Sequence, residues 1–525
     1  MGDADAVAMG EGLLDTVDEG MPGTAPDVAA DFAALQQGLA RWFERSADRL
    51  RPQTVMVLPS LSLDQGVLGK ITGVLQYEQR LLCLLLLLRY PNTRVVYLSS
   101  EPVPQSIIDY YLHLLTGIPR SHAMGRLTLI ACHDGSARPL TEKVLERPRI
   151  IARLRAALQG DTPAHLTCFN VSPLERSLAL TLGLPVYGCD PDLLPLGSKS
   201  GSRRLFRAAG LLVPDGAEDL RDEGDIGEAL VALKARNPGL RRAVVKVNEG
   251  FSGEGNAIFD YRPEESPEAL RAEMADRLPK LRCVAEGMGW PAFAEKFVEM
   301  GGVVEAFVEG KVKRSPSAQY RIDPLGQLDV ISTHDQVTTG TGGQVFEGCR
   351  FPANAAYRLA VQEAGRAAAE ELRAAGVLGR FGVDFVSVRE AEGWRHYALE
   401  INLRKGGTTH PFLMLQSLTD GHYDTETGTF RAPSGRPLFY YASDNLAAPH
   451  YRGLTPDDLI DIAVENGLHF HTSRQEGVVF HLIGALSEFG KLGLVCVAGS
   501  ERGADRLYRE TVAVLDKAGT GRAGP

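Results

Sequence analysis

Residues 381–411, FGVDFVSVREAEGWRHYALEINLRKGGTTHP, place acidic and amide side chains inside two runs that otherwise read as β-strands. The runs 381–388 and 394–402 are rich in β-branched and aromatic residues and flank the polar turn 389–393, the pattern of a hairpin. Asp384 breaks the first run, and Glu400 and Asn402 stand two apart on the second, so both point to one face. A turn centred on 390–393 sets Asp384 opposite Glu400, and three oxygen-bearing side chains converge. Oxygen-only ligands suit Mg²⁺, which keeps waters and completes its shell from phosphates. Arg404 follows on the same face, and Gly406-Gly407 lets the backbone turn before His410-Pro411. A solvated carboxylate on an open strand face is the competing reading of Asp384 alone; the company it keeps argues for a site.

Two upstream segments carry the opposite charge. In LPLGSKSGSRRLFRAAGLLVPDG (194–216), Ser198 can cap a helix of about ten residues ending at Gly210, with Lys199 at its start. A lysine there is usually solvated, and Arg203 and Arg204 compete with it for any anion. In RRAVVKVNEGFSGEGNAIFDY (241–261), the strand 243–247 contains Lys246, whose ammonium would be costly to bury unpaired. Gly250, Ser252, Gly253, Glu254 and Gly255 follow, then a strand from 256 to 259. Successive N–H groups in such a loop can nest an anion, and glycines permit its close approach. This is not a Walker A loop, because no Gly-Lys-Ser/Thr opens a helix.

In that order, a helix-start lysine, a strand lysine with a glycine loop, an acidic strand residue and then E-x-N-x-R, the chain resembles the ATP-grasp carboxylate–amine ligases. The further segments 314–347 and 404–412 make it most similar to the pheganomycin-type peptide ligases. The resemblance implies an α/β and α+β architecture: a Rossmann-like pre-ATP-grasp domain (29–190) after a disordered acidic tail (1–28), two ATP-grasp subdomains (191–300 and 301–430), and a small C-terminal α+β domain (431–525). It implies ATP and Mg²⁺ as cofactors, with one or two ions and Mn²⁺ as a substitute. Asp384, Glu400 and Asn402 would hold the metal. Lys199, Lys246, Gly250, Ser252, Gly253, Glu254 and Gly255 would hold the phosphates beneath a glycine flap. The family's adenine clamp, E-K-h-h-E, matches Glu295-Lys296-Phe297-Val298-Glu299: Glu295 or the Lys296 carbonyl would accept from adenine N6, and the Val298 N–H would donate to N1. The ribose carboxylate is open between Glu299 and Glu305. Arg404 and Lys246 would be catalytic, with Arg321 gripping a substrate carboxylate or acyl phosphate; a surface arginine is the alternative for Arg321. His334-Asp335 could serve the incoming amine or simply hold structure. The implied reaction joins a carboxylate to an amine or peptide through an acyl phosphate, releasing ADP and phosphate. A non-catalytic ATP-binding sensor or scaffold on the same fold is the alternative.

The elements that must position these residues read as parallel α/β in the first third. Apolar strands at 55–60, 94–100, 127–132 and 165–170 each end in small polar residues, as in a sheet buried on both faces. The run LLCLLLLL (81–88), flanked by Arg80 and Arg89, is too short to span a bilayer and reads as a buried helix. No GxGxxG follows these strands, which argues against a nicotinamide dinucleotide. The 525 residues carry a net charge of −10 with 44% hydrophobic and 23% charged side chains, giving no basic surface for nucleic acid or membrane. Small-molecule carboxylate, amine or peptide substrates are expected, in the cytoplasm, because residues 1–30 lack a signal-peptide core. Seven cysteines without a CxxC point to reduced, buried thiols. His469 and His471 alternate on a strand with no third ligand in sight, so zinc is not expected.

Overall fold

The computed structural model describes residues 27–44, 51–62, 68–69, 71–160, 162–250, 255–285, 287–339 and 345–521. The 1–28 tail expectation falls almost wholly outside them. Strands β1 (Gln53–Leu58), β2 (Thr93–Ser99), β3 (Leu127–Ala131) and β4 (Ala164–Cys168) form a parallel sheet in the order β3-β2-β1-β4. Their apolar runs lie between two layers, one built on Val55, Val57 and the leucine-rich segment Val74–Arg89, the other on Met56, Leu58 and the helices Pro148–Ala157 and Pro173–Leu182. Val74–Arg89 winds as a 3₁₀ helix, buried along most of its length.

A second, antiparallel sheet follows. Its strands are β5 (Gly216–Leu220), β6 (Arg242–Val247), β7 (Asn256–Asp260), β8 (Arg282–Cys283) and β9 (Gly302–Ala306), in the order β5-β9-β6-β7-β8. Helices Glu223–Arg236, Pro267–Arg277 and Trp290–Met300 cover it with a core of Leu230, Leu233, Leu270, Phe293 and Phe297. Because β9 pairs with β5 and β6, this unit runs to Ala306 and not to the expected boundary at 300.

The third sheet is the largest. It contains β10 (Lys313–Arg314), β11 (Pro316–Ile322), β12 (Leu328–Thr339), β13 (Val345–Phe351), β14 (Gly379–Glu390), β15 (Gly393–Asn402), β16 (His422–Asp424), β17 (Thr429–Arg431), β18 (Pro437–Ala447), β19 (Gly477–His481) and β20 (Lys491–Ala498). β13 bonds β18 in register Phe351↔Tyr440, and β18 bonds β20, so residues after 431 extend this sheet. The C-terminal α+β unit that the sequence predicts is therefore continuous with this sheet through its ladder, whose N–H and C=O groups pair across the 431 boundary. The described cysteines are all free thiols, and no helix among the described residues is long and apolar enough to cross a membrane.

Candidate active site

The hairpin β14–β15 sets Asp384 opposite Glu400, as the sequence predicts, and Gly382 opposite Asn402. A bulge beyond Asp384 adds one residue to β15, which locally re-aims the strand. The Asn402 amide donates to Asp384 Oδ2 (3.0 Å) and Glu400 Oε1 (3.3 Å), so three oxygen-bearing groups stand within contact of one another. Gln336, on β12, donates to the other Asp384 oxygen at 2.9 Å. Gly382 leaves room for the Gln319 side chain, whose Oε1 would stand 2.7 Å from a Cβ there.

The helix Lys199–Ala208 brings the first lysine to this cluster. Ser198 caps it by accepting from the Gly201 N–H (3.0 Å), as predicted. The Ser202 hydroxyl accepts from the Ile401 N–H (3.0 Å), and Asn248 bonds Lys199 and Ser200 through its carbonyl oxygen and side chain (3.1 and 2.9 Å). The helix start is thereby tied to both β15 and the end of β6. Lys199 is paired with Glu400. Lys246 projects from β6 onto Glu305 of β9 at 2.5 Å, and Arg203 reaches the same carboxylate at 2.6 Å. Burial opposes charge on Glu305, but the two cations outweigh it and hold its carboxyl low. Burial and the neighbouring Glu400 carboxylate raise Asp384, whereas Lys199 overcomes burial at Glu400 and holds it low. Burial also lowers Arg404.

These groups share a cavity of about 290 Å³ between the second and third sheets. Lys199, Lys246, Gly250, Gly255, Glu305, Asp384, Glu400, Asn402 and Arg404 all line it. Ser252, Gly253 and Glu254 lie outside the described residues.

Three expectations need correction, and one left open is decided. Arg321 is absent from the cavity wall; it sits two residues beyond Gln319 on β11 and is held by Asp329 at 2.9 and 2.5 Å. Glu295, Lys296 and Val298 form no adenine clamp, because they ride the helix Trp290–Met300, where Val298 is 62% exposed. The motif recurs ten residues on as Glu305-Ala306-Phe307-Val308-Glu309, and it is this second copy whose residues 305–308 line the cavity where β9 leaves the second sheet. There the Ala306 N–H donates to the Asp215 carbonyl (2.7 Å), the Phe307 N–H donates to the Arg242 carbonyl (3.0 Å), and the Phe307 ring is flanked by Arg242 and Lys313 at 4.0 and 4.3 Å. Neither ribose candidate fits: Glu299 is exposed on that same helix, and both Glu305 oxygens are taken by Lys246 and Arg203. His334 is fully buried against the Tyr440 hydroxyl (2.7 Å), and Asp335 bonds Tyr357 and the Asn354 N–H, so this pair is structural.

Sequence reasoning passed over Arg80, Phe169, Gln319, Gln336, Phe346 and Phe307, all on the cavity wall. The one available signal was Arg80 itself, a cation directly before the apolar run 81–88.

Comparison with known proteins agrees with this arrangement. Over 472 residues the chain is 33% identical to an L-propargylglycine–L-glutamate ligase of Streptantibioticus cattleyicolor, spanning 88% of this chain and 94% of the relative. The chain belongs to the ATP-grasp ligases. This ATP-grasp protein also matches the family described as IQCH-like, ATP-grasp over residues 195–279 and 270–426, and the PGM1 C-terminal domain over 458–511. It is 22% identical over 427 residues to the IQ motif-containing protein H of Danio rerio, of which that match spans 40%. Its fold is similar to the ATP-analogue complex of a biotin carboxylase from Campylobacter jejuni (TM-score 0.53, 12% identity, 90% of this chain and 96% of the other). It is also similar to the biotin carboxylase domain of a Hydrogenobacter thermophilus 2-oxoglutarate carboxylase (TM-score 0.51, 11% identity, 89% and 95%). The ATP-grasp protein described here is an ATP-dependent carboxylate–amine ligase.

Proposed function

We propose that the ligase joins two amino acids, or an amino acid and a peptide, in the cavity between the second and third sheets. The observation that carries this reading is the convergence of Lys199, Lys246, Asp384, Glu400, Asn402 and Arg404 on one cavity from the helix Lys199–Ala208, β6, and the hairpin β14–β15 with the residues that follow it. The adenine lies along 306–308, where backbone groups leaving a strand can accept from N6 and donate to N1. The triphosphate lies toward Lys199 and Lys246. Two carboxylates and an amide oxygen form a hard donor set suited to Mg²⁺, and the Lys199 ammonium resting on Glu400 marks that point as one that attracts a cation. When bound, the metal supplies charge neutralisation at the phosphates.

The residues then divide the work by position. Lys246 and Lys199 neutralise phosphate oxygens, so the substrate carboxylate can approach the γ-phosphorus without a wall of like charge. Its oxygen forms the new P–O bond as the bond to the β-phosphate oxygen breaks, and ADP leaves. Arg404, two residues past the end of β15, lines the same cavity and steadies the charge on the resulting acyl phosphate. The amine nitrogen then attacks the acyl carbon, the C–O bond to phosphate breaks, and the amine releases a proton to the departing phosphate or to water. Apolar walls from Phe307, Phe346 and Phe169 limit water at the acyl phosphate.

Incubation of the purified chain with ATP, Mg²⁺ and pooled amino acids and short peptides, read by mass spectrometry, tests the reading. A condensed mass with one ADP and one phosphate per bond is expected, and its loss in Glu400→Gln. AMP and pyrophosphate as products would overturn it.

A further inference from the structure

One cation on the cavity wall is used neither by the nucleotide machinery nor by the reacting carboxylate. Arg80 comes from Val74–Arg89 in the first unit, is 5% exposed and lines the cavity beside Phe169, Phe346, Gly406 and Gly407. Its guanidinium lies 4.1 Å from the Tyr77 ring centre and 5.7 Å from that of Phe169, and Arg404 approaches the same Phe169 ring at 6.0 Å. Two guanidinium groups thus approach one ring from different units, Arg80 backed by Asp444 and Arg404 by the Glu400 and Asp384 carboxylates, which concentrates positive charge on this part of the wall.

The groups behind Arg80 hold it in place. Asp444, on β18, meets Arg80 Nη2 at 2.6 Å, yet neither Arg80 Nε nor Asp444 Oδ2 has an aligned hydrogen bond among the described residues. The contact is one of charge, leaving most of the planar fork uncommitted. Asp444 Oδ1 is bonded by His410 Nε2 and His481 Nε2, each at 3.1 Å, and all three residues are buried. Three ligand atoms this close resemble a metal site. However, a metal on His481 Nε2 would require the proton on Nδ1, which is buried without a partner, and Arg80 already places a full positive charge on Asp444. The cluster reads instead as a mount that fixes Asp444, and through it Arg80, from the helix Thr409–Thr419, β18 and β19.

We propose that Arg80 binds the unreacted carboxylate of the amine substrate, which makes that substrate an α-amino acid or a peptide with a free C-terminus. The inference rests on the ligase reading above and supplies the role the sequence had given to Arg321. The reacting carboxylate belongs beside Arg404 and the metal residues; Arg80 reaches Phe169 from a different unit and so meets a second anionic group. A planar guanidinium stacked on Tyr77 presents paired N–H groups to a carboxylate and fewer complementary ones to a carboxamide.

The test compares ADP formation with a pool of L-amino acids and with the matching pool of L-amino acid amides as amine substrates. Wild type should prefer the acids on the order of 100-fold in kcat/KM. Arg80→Met should reduce that preference to within a few-fold, through KM for the amine and with KM for ATP unchanged, while Arg80→Lys retains part of it. Because Arg80→Met leaves Asp444 facing no cation, Arg80→Met/Asp444→Asn provides a second variant free of a buried unpaired charge. Wild-type ADP formation without preference for acids, or an equal loss on acids and amides in the variants, overturns the proposal alone. Absence of any ATP-dependent ADP formation in wild type overturns the ligase reading beneath it.

Discussion

Replacing Glu305 by glutamine tests whether the second copy of the repeated motif, at 305–309, is where nucleotide meets protein. Glu305 is 2% exposed and neutralises two cations, Lys246 at 2.5 Å and Arg203 at 2.6 Å. Arg203 keeps Glu218 at 3.1 Å and the Pro214 carbonyl at 3.0 Å after the change. Lys246, 9% exposed, keeps no other carboxylate within ion-pair distance among the described residues. Removing one member of a buried ion pair costs about 3–5 kcal/mol; water entering from the cavity mouth favours the lower end, about 3 kcal/mol. ATP should return much of this, because its phosphates restore negative charge beside Lys246, and the nucleotide-dependent gain in stability should be larger in Glu305→Gln than in wild type. Trp290, buried in the second unit, reports denaturant unfolding of that unit in a background carrying Trp42→Phe and Trp394→Phe. The control is Glu295→Gln on the exposed face of Trp290–Met300, expected to change stability by no more than about 0.5 kcal/mol. A stability deficit that ATP leaves untouched would refute the placement of phosphate beside Lys246. Equal effects of Glu305→Gln and Glu295→Gln would refute the reassignment of the clamp.

Arg321→Ala should keep kcat/KM for ATP-dependent ligation within about twofold of wild type and cost less than about 1 kcal/mol, because its part-exposed pair with Asp329 lies off the cavity; a hundredfold loss of activity in steady-state kinetics would restore it to the site. Glu78 predicts a pH effect on stability. Burial raises its carboxyl from 4.5 to about 7, against the lowering hydrogen bonds from Ser100. A group that binds its proton more tightly when folded contributes stability that is full below pH 4.5 and lost as pH rises through 7, a swing of about 3 kcal/mol. Denaturation at pH 5 and pH 8 should show that swing in the difference between wild type and Glu78→Gln, and a pH-independent difference would refute it.

How much of this was legible depends on where each signal resides. The hairpin 379–402 could be read because side-chain alternation and a short polar turn fix register locally, and Asp384↔Glu400 followed from counting residues. The Ser198 cap and the lysine on β6 were legible for the same reason. The adenine clamp was misread because two nearly identical pentapeptides stand ten residues apart, and only the first carries the lysine. The apolar spacing of Phe293, Ala294 and Phe297 marks that first copy as a helix face packed inward, a pattern that outweighs the motif match. Arg321 was misplaced because an arginine on the face of the right strand can lie beyond the end of the site, and distance along a strand is invisible until the neighbouring strands are known. The merger of 431–525 with the third sheet, and the meeting of Arg80 with Asp444 across 364 positions, arise from pairings between distant segments that no local pattern encodes.

A common logic links the ion pairs of three cations on the cavity wall, Lys199–Glu400, Lys246–Glu305 and Arg80–Asp444. An anionic substrate that draws a cation away would strand a carboxylate in a poorly hydrated wall, and such a site would bind weakly. Each of these carboxylates, however, has a second source of compensation that the substrate does not displace. Glu305 keeps Arg203, Asp444 keeps its contacts with His410 and His481, and Glu400 keeps the Asn402 amide and would face the metal of the proposed reading. The cations can therefore turn to phosphate and carboxylate without leaving an uncompensated charge behind, which is what allows one cavity to hold a triphosphate and two carboxylate-bearing substrates together. On this view Arg203, His410 and His481 serve binding without touching a ligand, and their place in the molecule follows from electrostatics more than from packing.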